Sequence, residues 1–273
     1  MPDDGTPMPP LPALREDLRT TTERIARELA SPAAEAPAWS DLQWRVAMAA
    51  AVMHGVSGLL AGRLRWRGPE AWSTFLEQQR AQGILRQRRT QVLLDLDLYA
   101  PGERPMSDVD LLCSAQDFEA ADRLIGTLGY VPGSTNWRHV QYLPAGTGEE
   151  RAFGEHIANP VKIELHGRVL ERLPVRDVDI TAQVFPGPAR AGLNPYPSLA
   201  ALMRHLVLHA AGNVCNQSVR LIHLHDIAAL ARRLTREDWD ALVDAGDGRT
   251  MAWWALPPLS LVDELYGALA SGA

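Results

Sequence analysis

The stretch R-P-M-S-D-V-D-L-L-C, Arg104 to Cys113, sets two aspartates two residues apart inside an otherwise apolar run. In an extended strand residues i and i+2 share a face. Asp108 and Asp110 therefore project side by side, while Val109 and Leu111 point the other way, toward a core. Neighbouring carboxylates repel each other, so such a strand is either solvated there or shares the charge with a cation or a proton.

Downstream, S-A-Q-D-F-E-A-A-D-R-L-I-G-T-L-G-Y predicts a helix with Ser114 as N-cap and Asp117 in the capping-box position. Its apolar stripe is Phe118, Ala121, Leu124, Ile125 and Leu128, and Gly129 is its stop. His139 to Leu143 and Val161 to Leu165 alternate as strands, with A-G-T-G-E-E-R as the loop between them. In V-K-I-E-L-H-G-R the alternation puts Val161, Ile163 and Leu165 on the core face and Lys162, Glu164 and His166 on the other. If the two acidic strands are neighbours, Asp108, Asp110 and Glu164 form a hard oxygen cluster suited to Mg²⁺ or Mn²⁺. Arg104 and Arg168 flank these strands as candidate phosphate partners.

The remainder reads as helical. Residues 1 to about 12 resemble a disordered tail, Leu14 to Leu29 a charged helix, and Ala30 to Pro37 a linker. After Ser40, a plausible N-cap, Leu42, Val46, Ala49, Met53, Val56 and Leu60 recur at helical spacing. A further helix runs from Pro69 or Glu70 through Arg89. The segment V-L-L-D-L-D-L-Y fits either its end or a strand. From Ser198 onward the chain returns to helices. The predicted class is α/β (α+β), a small mixed sheet flanked by helical segments. Its expected divisions are a partly disordered tail with one helix (1–38), a helical segment (39–98), an α/β core (99–190) and a second helical segment (191–273).

Bulk properties exclude several roles. With 46% hydrophobic residues in 273, the chain has ample material for a core. A formal charge of -6 argues against a long nucleic acid as partner, because counterion release needs a clustered basic surface. Lys162 is the sole lysine, so any grip on phosphate falls to arginine or backbone amides. Two distant cysteines, Cys113 and Cys215, suggest neither a disulfide framework nor a zinc site, and point to a reducing cytoplasm. The acidic, proline-rich start does not resemble a secretory signal, and no apolar run reaches membrane-spanning length. P-loop, dinucleotide-binding and nucleophile-elbow motifs are absent.

The combination of R-P-M-S-D-V-D-L-L, a Gly-Tyr some twenty residues later, I-E-L-H, and a helical tail with His-x-x-x-His and H-D-I-A resembles an uncharacterised bacterial nucleotidyltransferase family of the DNA polymerase β superfamily. The resemblance implies a nucleotidyltransferase-like core in which Asp108 and Asp110 are paired metal ligands and Glu164 is the third carboxylate. The implied reaction is Mg²⁺-dependent transfer of a nucleoside monophosphate from an NTP to an acceptor, which is left open among small molecule, peptide, protein and RNA end. Arg104, Ser107, His166 and Arg168 would face the nucleotide, and His209 and Asp226 the substrate. One departure stands out. Where the family usually carries a Lys-Gly turn, this chain has V-L-L-D-L-D-L, without glycine or lysine. A binding or scaffold protein that keeps the fold is the alternative. A third reading, a phosphohydrolase of the helical tail, requires His205, His209, His225 and Asp226 to meet at a metal; the i, i+4 pair His205/His209 alone lacks a third ligand.

Overall fold

A computed structural model describes residues 9–89, 99–105, 107–147, 153–154, 156, 158–185, 196–243 and 252–267. Four helices lead: α1 (Leu11–Ala30), α2 (Asp41–Met53), α3 (Ser57–Arg63) and α4 (Glu70–Arg89). Helix α1 begins at Leu11, earlier than the predicted tail allows, because Pro12 fits the first turn, where no amide hydrogen is needed. Ser40 caps α2 as expected. Its Oγ accepts from the Gln43 amide at 3.3 Å, and Gln43 Oε1 accepts from the Ser40 amide at 3.0 Å.

The single helix expected after Ser40 is in fact two, bent by 112° between α2 and α3. Gly55 makes the break at φ +67, a conformation that disfavours any side chain. Of the expected stripe Val46, Val56 and Leu60 are buried but Met53 is exposed, and Trp44, Ala47, Ala50 and Ala51 are buried as well. Trp44, Trp66 and Trp72 meet at centroid distances of 5.5 to 6.4 Å and fill this N-terminal core. Buried Glu28 joins the linker to it, accepting from Trp66 Nε1 and the Ala33 amide, both at 3.0 Å, while Arg24 lies 2.7 Å away. A charge buried this deeply needs such partners.

The sheet is built from β1 (Asp108–Leu112), β2 (Tyr130–Thr135), β3 (His139–Pro144) and β4 (Lys162–His166), in the order β1-β4-β3-β2. Strand β1 is parallel to β4, and the other pairings are antiparallel. Helix α5 (Phe118–Thr127) covers one face, where Ile125, Tyr142, Ile163 and Leu165 are buried with Phe118 and Ala121 packed against them. Leu124 and Leu128 were expected on that stripe, but both are exposed; the inward positions 118, 121 and 125 already span the width of the small sheet. Ser114 does not cap α5 either. Its hydroxyl accepts from the Asp117 amide at 3.3 Å, closing a turn one step earlier, and the helix starts at Phe118.

A second, two-stranded sheet pairs β5 (Leu170–Arg172) with β6 (Asp177–Asp179). Then follow α6 (Thr181–Val184), α7 (Leu199–Cys215), α8 (Leu221–Ala231), α9 (Arg236–Val243) and α10 (Ala252–Tyr266). The last of these escapes sequence reading because Pro257 and Pro258 lie inside it. Helix α8 serves two cores: Leu221 and Ile222 pack with the N-terminal helices, while Leu224, Ile227 and Leu230 pack with α7 and α10. The outcome is a mixed α+β fold with a small mixed sheet between helical segments. The segment V-L-L-D-L-D-L, most of the A-G-T-G-E-E-R loop, and the first eight residues lie outside the described residues.

The chain reaches β1 through a tight turn wedged between α3 and α4. Gly102, at φ +80, presses its carbonyl toward Gly58, where an added Cβ would lie 2.0 Å from that oxygen; at Gly83 the distance is 3.1 Å. Backbone is the obstacle, so relief requires separating the helices. Gly58→Ala should destabilise the fold by about 1–3 kcal/mol, the range for overpacking. Urea denaturation monitored by tryptophan fluorescence would measure it, and an unchanged midpoint would refute this close packing.

Candidate functional site

The face of the sheet opposite α5 is polar because strand alternation makes it so. Strand register sets Asp110 beside Glu164, Asp108 beside Lys162, Gln141 beside Glu164 and His139 beside His166. All three expected carboxylates thus stand on one face of two neighbouring parallel strands. Hydrogen-bond distances then fix the side chains. His166 Nε2 lies 2.9 Å from Asp110 Oδ1, Gln141 Nε2 donates to Glu164 Oε1 at 3.4 Å, and His139 Nδ1 lies 3.1 Å from Glu164 Oε2.

The electrostatics follow from this crowding. Burial, then the neighbouring Asp110 charge, raises the Asp108 carboxyl above its usual range, with Lys162 opposing. Burial and the charges of Asp108 and Asp110 likewise raise Glu164. Burial also pushes Asp110 upward, but the hydrogen bond and charge of His166, joined by His205 and His209, bring it below the usual value. Repulsion among three carboxylates that one lysine only partly relieves is what a divalent cation neutralises, and hard oxygen donors suit Mg²⁺ or Mn²⁺. The residues present fit the ion that the sequence reading expects.

Helices α7 and α8 form the opposite wall with His205, His209 and His223. Burial is the first cause that pushes each of their imidazoles down to about 4, so all three are neutral at pH 7. The rings of His209 and His223 meet edge to face at 5.2 Å. His209 Nδ1 lies 3.9 Å from Glu171, which in turn holds Arg138 at 2.5 Å. Gly212 makes room for the Glu171 carboxylate, since a Cβ there would come within 2.6 Å of its oxygen. Glu171, Arg138, His139 and His223 were not among the sequence candidates. A buried glutamate in the short L-E-R strand carries no distinctive local pattern, and the others are joined only by tertiary contact.

Several candidates are placed otherwise than in a shared nucleotide cradle. Arg104 and Asp226 find each other: Nε bonds Oδ1 at 3.1 Å and Nη2 bonds Oδ2 at 3.0 Å, while the Tyr99 hydroxyl also donates to Asp226. Ser107 hydrogen-bonds Asp108 and remains exposed. Arg168 turns to Asp179 at 2.6 Å, beside a separate shallow depression lined by Cys113, Gly167 and Thr181. Asp177 and Asp179, a second D-x-D pattern, are exposed on the edge of the two-stranded sheet. Both cysteines are free.

A family model described as uncharacterised nucleotidyltransferase matches residues 90–267. The chain belongs to that family. Nucleotidyl transfer is therefore the general activity of the fold that carries this site. No curated protein and no solved structure matches the chain. Among the described residues, no single helix is long and apolar enough to cross a membrane. For this family member the phosphohydrolase reading lacks its geometry: His205 and His209 face Asp110, Asp226 is committed to Arg104, and His225 is buried between Tyr99 and Tyr266, at ring distances of 5.9 and 5.5 Å.

His225 is 1% exposed, and among the described residues neither ring nitrogen has a hydrogen-bond partner. Burial, then Arg63, pushes its pKa down to about 4, with Asp226 opposing and Arg232 reinforcing the shift. A depressed imidazole pKa stabilises the fold above the unfolded value near 6.5, and that contribution is lost as pH falls toward 4. His225→Phe should reduce the loss of melting temperature between pH 6.5 and pH 4.5 and leave the pH 7 value equal or higher. Melts of both proteins across that interval test this; parallel acid profiles would remove His225 as a contributor.

Proposed function

We propose that this protein is a Mg²⁺- or Mn²⁺-dependent nucleotidyltransferase that moves a nucleoside monophosphate from an NTP to an acceptor, releasing pyrophosphate. The observation that carries the reading is the register of β1 and β4, which sets Asp110 directly beside Glu164 with Asp108 two residues away on the same face. Asp108, Asp110 and Glu164 would hold the cation. Once bound, such an ion supplies charge neutralisation for the transferring phosphoryl group and lowers the pKa of an attacking hydroxyl.

The chain's own residues do the positioning. His166 fixes the Asp110 carboxylate through the 2.9 Å bond. Lys162, paired with Asp108 in the strand register, would offer a cationic side chain to the triphosphate on that face. Arg104, locked to Asp226, holds the start of β1 against α8 and adds positive potential felt at Asp108. The neutral imidazoles of His205 and His209 would line the wall where an acceptor approaches, with His209 on the substrate side. The acceptor is a small molecule, peptide, protein or RNA end, and a net charge of -6 disfavours a long nucleic acid.

Calorimetric titration of each NTP in the presence of Mg²⁺ is the test. Wild-type protein should bind at least one nucleotide in a metal-dependent manner, and Asp110→Asn should weaken that binding roughly tenfold or more, the scale set by disturbing a metal site. No nucleotide binding by folded wild-type protein would leave the alternative, a scaffold that has kept the fold.

A further inference from the structure

We propose that His139, Glu164 and His166 hold a second cation, a borderline divalent transition ion of the Mn²⁺, Co²⁺ or Zn²⁺ class. Among the described residues, these three offer donor atoms that all lie within 4.8 Å of one another. They stand on the adjacent strands β3 and β4. Ligands on paired strands are preorganised in a way that loop ligands are not.

The spacing is that of a coordination shell. With metal–ligand bonds of about 2.0–2.1 Å, tetrahedral donors lie roughly 3.3 Å apart. Within the group, His139 Nδ1 and Glu164 Oε2 are 3.1 Å apart. The two imidazoles meet edge to face at 5.0 Å, which lets their nitrogens aim at a common point without stacking. His139 Nδ1 supplies an independent sign: it is cut off from solvent and has no aligned hydrogen bond, despite the nearness of Glu164. A ligand bond would satisfy it.

The donor chemistry separates this position from the all-oxygen one. Imidazole suits Mn²⁺, Co²⁺ and Zn²⁺ and is a poor ligand for Mg²⁺, which demands oxygen in near-octahedral array. Glu164 belongs to both sets, so the two positions would be neighbours that share one carboxylate. Coordination through Nδ1 requires the tautomer of His139 with its proton on Nε2, where the exposed Asn136 amide, 3.1 Å away, has to yield. The site is a property of the protein alone and stands whether or not nucleotides are transferred.

Co²⁺ titration of the full chain, read by visible absorption, is the experiment. An intense band of four- or five-coordinate Co²⁺ should appear with wild-type protein. It should vanish, or require at least about tenfold more metal, in His139→Ala and in His166→Ala, and it should persist in Asp108→Asn. Circular dichroism confirms that each variant is folded, and either histidine variant suffices if the other is not. No band with folded wild type, a band that survives a histidine replacement, or a band lost equally in Asp108→Asn would overturn the second site. Failure to bind NTP while the cobalt band persists would count against the transferase reading and leave this one intact.

Discussion

The bidentate bond between Arg104 and Asp226 is the constraint on which the arrangement of the site depends. Arg104 sits just before β1, and Asp226 lies on the buried side of α8. Helix α8 is itself shared between the tryptophan-rich N-terminal core and the C-terminal helical core. The bond therefore ties the first strand of the sheet to the element that joins the two helical masses. Tyr99 donates to the same carboxylate, and the Gly58–Gly102 contact wedges the connecting turn from the other side. With the leading end of β1 fixed at both points, the polar face of the sheet has one orientation available, toward α7 and α8.

That face is distinctive in how its charges are left. A sheet in a small α+β fold buries one apolar face, and here α5 covers it. On the other, α7 presents His205 and His209 at i and i+4, where a core helix would carry leucine. Because burial keeps those imidazoles neutral near pH 7, they enclose the carboxylates without neutralising them. Asp108 and Glu164 consequently hold their protons more tightly than ordinary acids. The cleft is open to solvent at Asp110 and His209, whose side chains are 61% and 44% exposed, and its carboxylates outnumber its one lysine, which favours a divalent ion.

Much of this was legible in the sequence wherever the signal was local. Period-two alternation identifies β1 and β4 and the side of each on which the acids lie, and Ser40 with Gln43 announces the start of α2. The bend at Gly55 was harder to read, since apolar spacing runs through it unbroken and only a positive φ interrupts the helix. Leu124 and Leu128 obey the same periodicity as Ile125, yet the sheet beneath α5 is too narrow to cover them. Glu171, Arg138 and His223 join the site through partners 33 residues or more away in some cases, as between Arg138 and Glu171, and no local pattern encodes such a meeting. The two prolines in α10 argue against a helix by propensity, and packing against α7 and α8 overrides them.

The solitary lysine has a practical consequence. The proline-rich, arginine-rich chain contains one ε-amine, and strand pairing sets it beside Asp108 on the polar face of the sheet. Lysine-directed acylation is usually a survey of an entire surface. In this protein it addresses a single, half-buried position inside the cleft. The extent of labelling at Lys162 is thus a native occupancy gauge, readable by mass spectrometry from unmodified protein, with no dye or engineered residue to disturb the cleft it reports on.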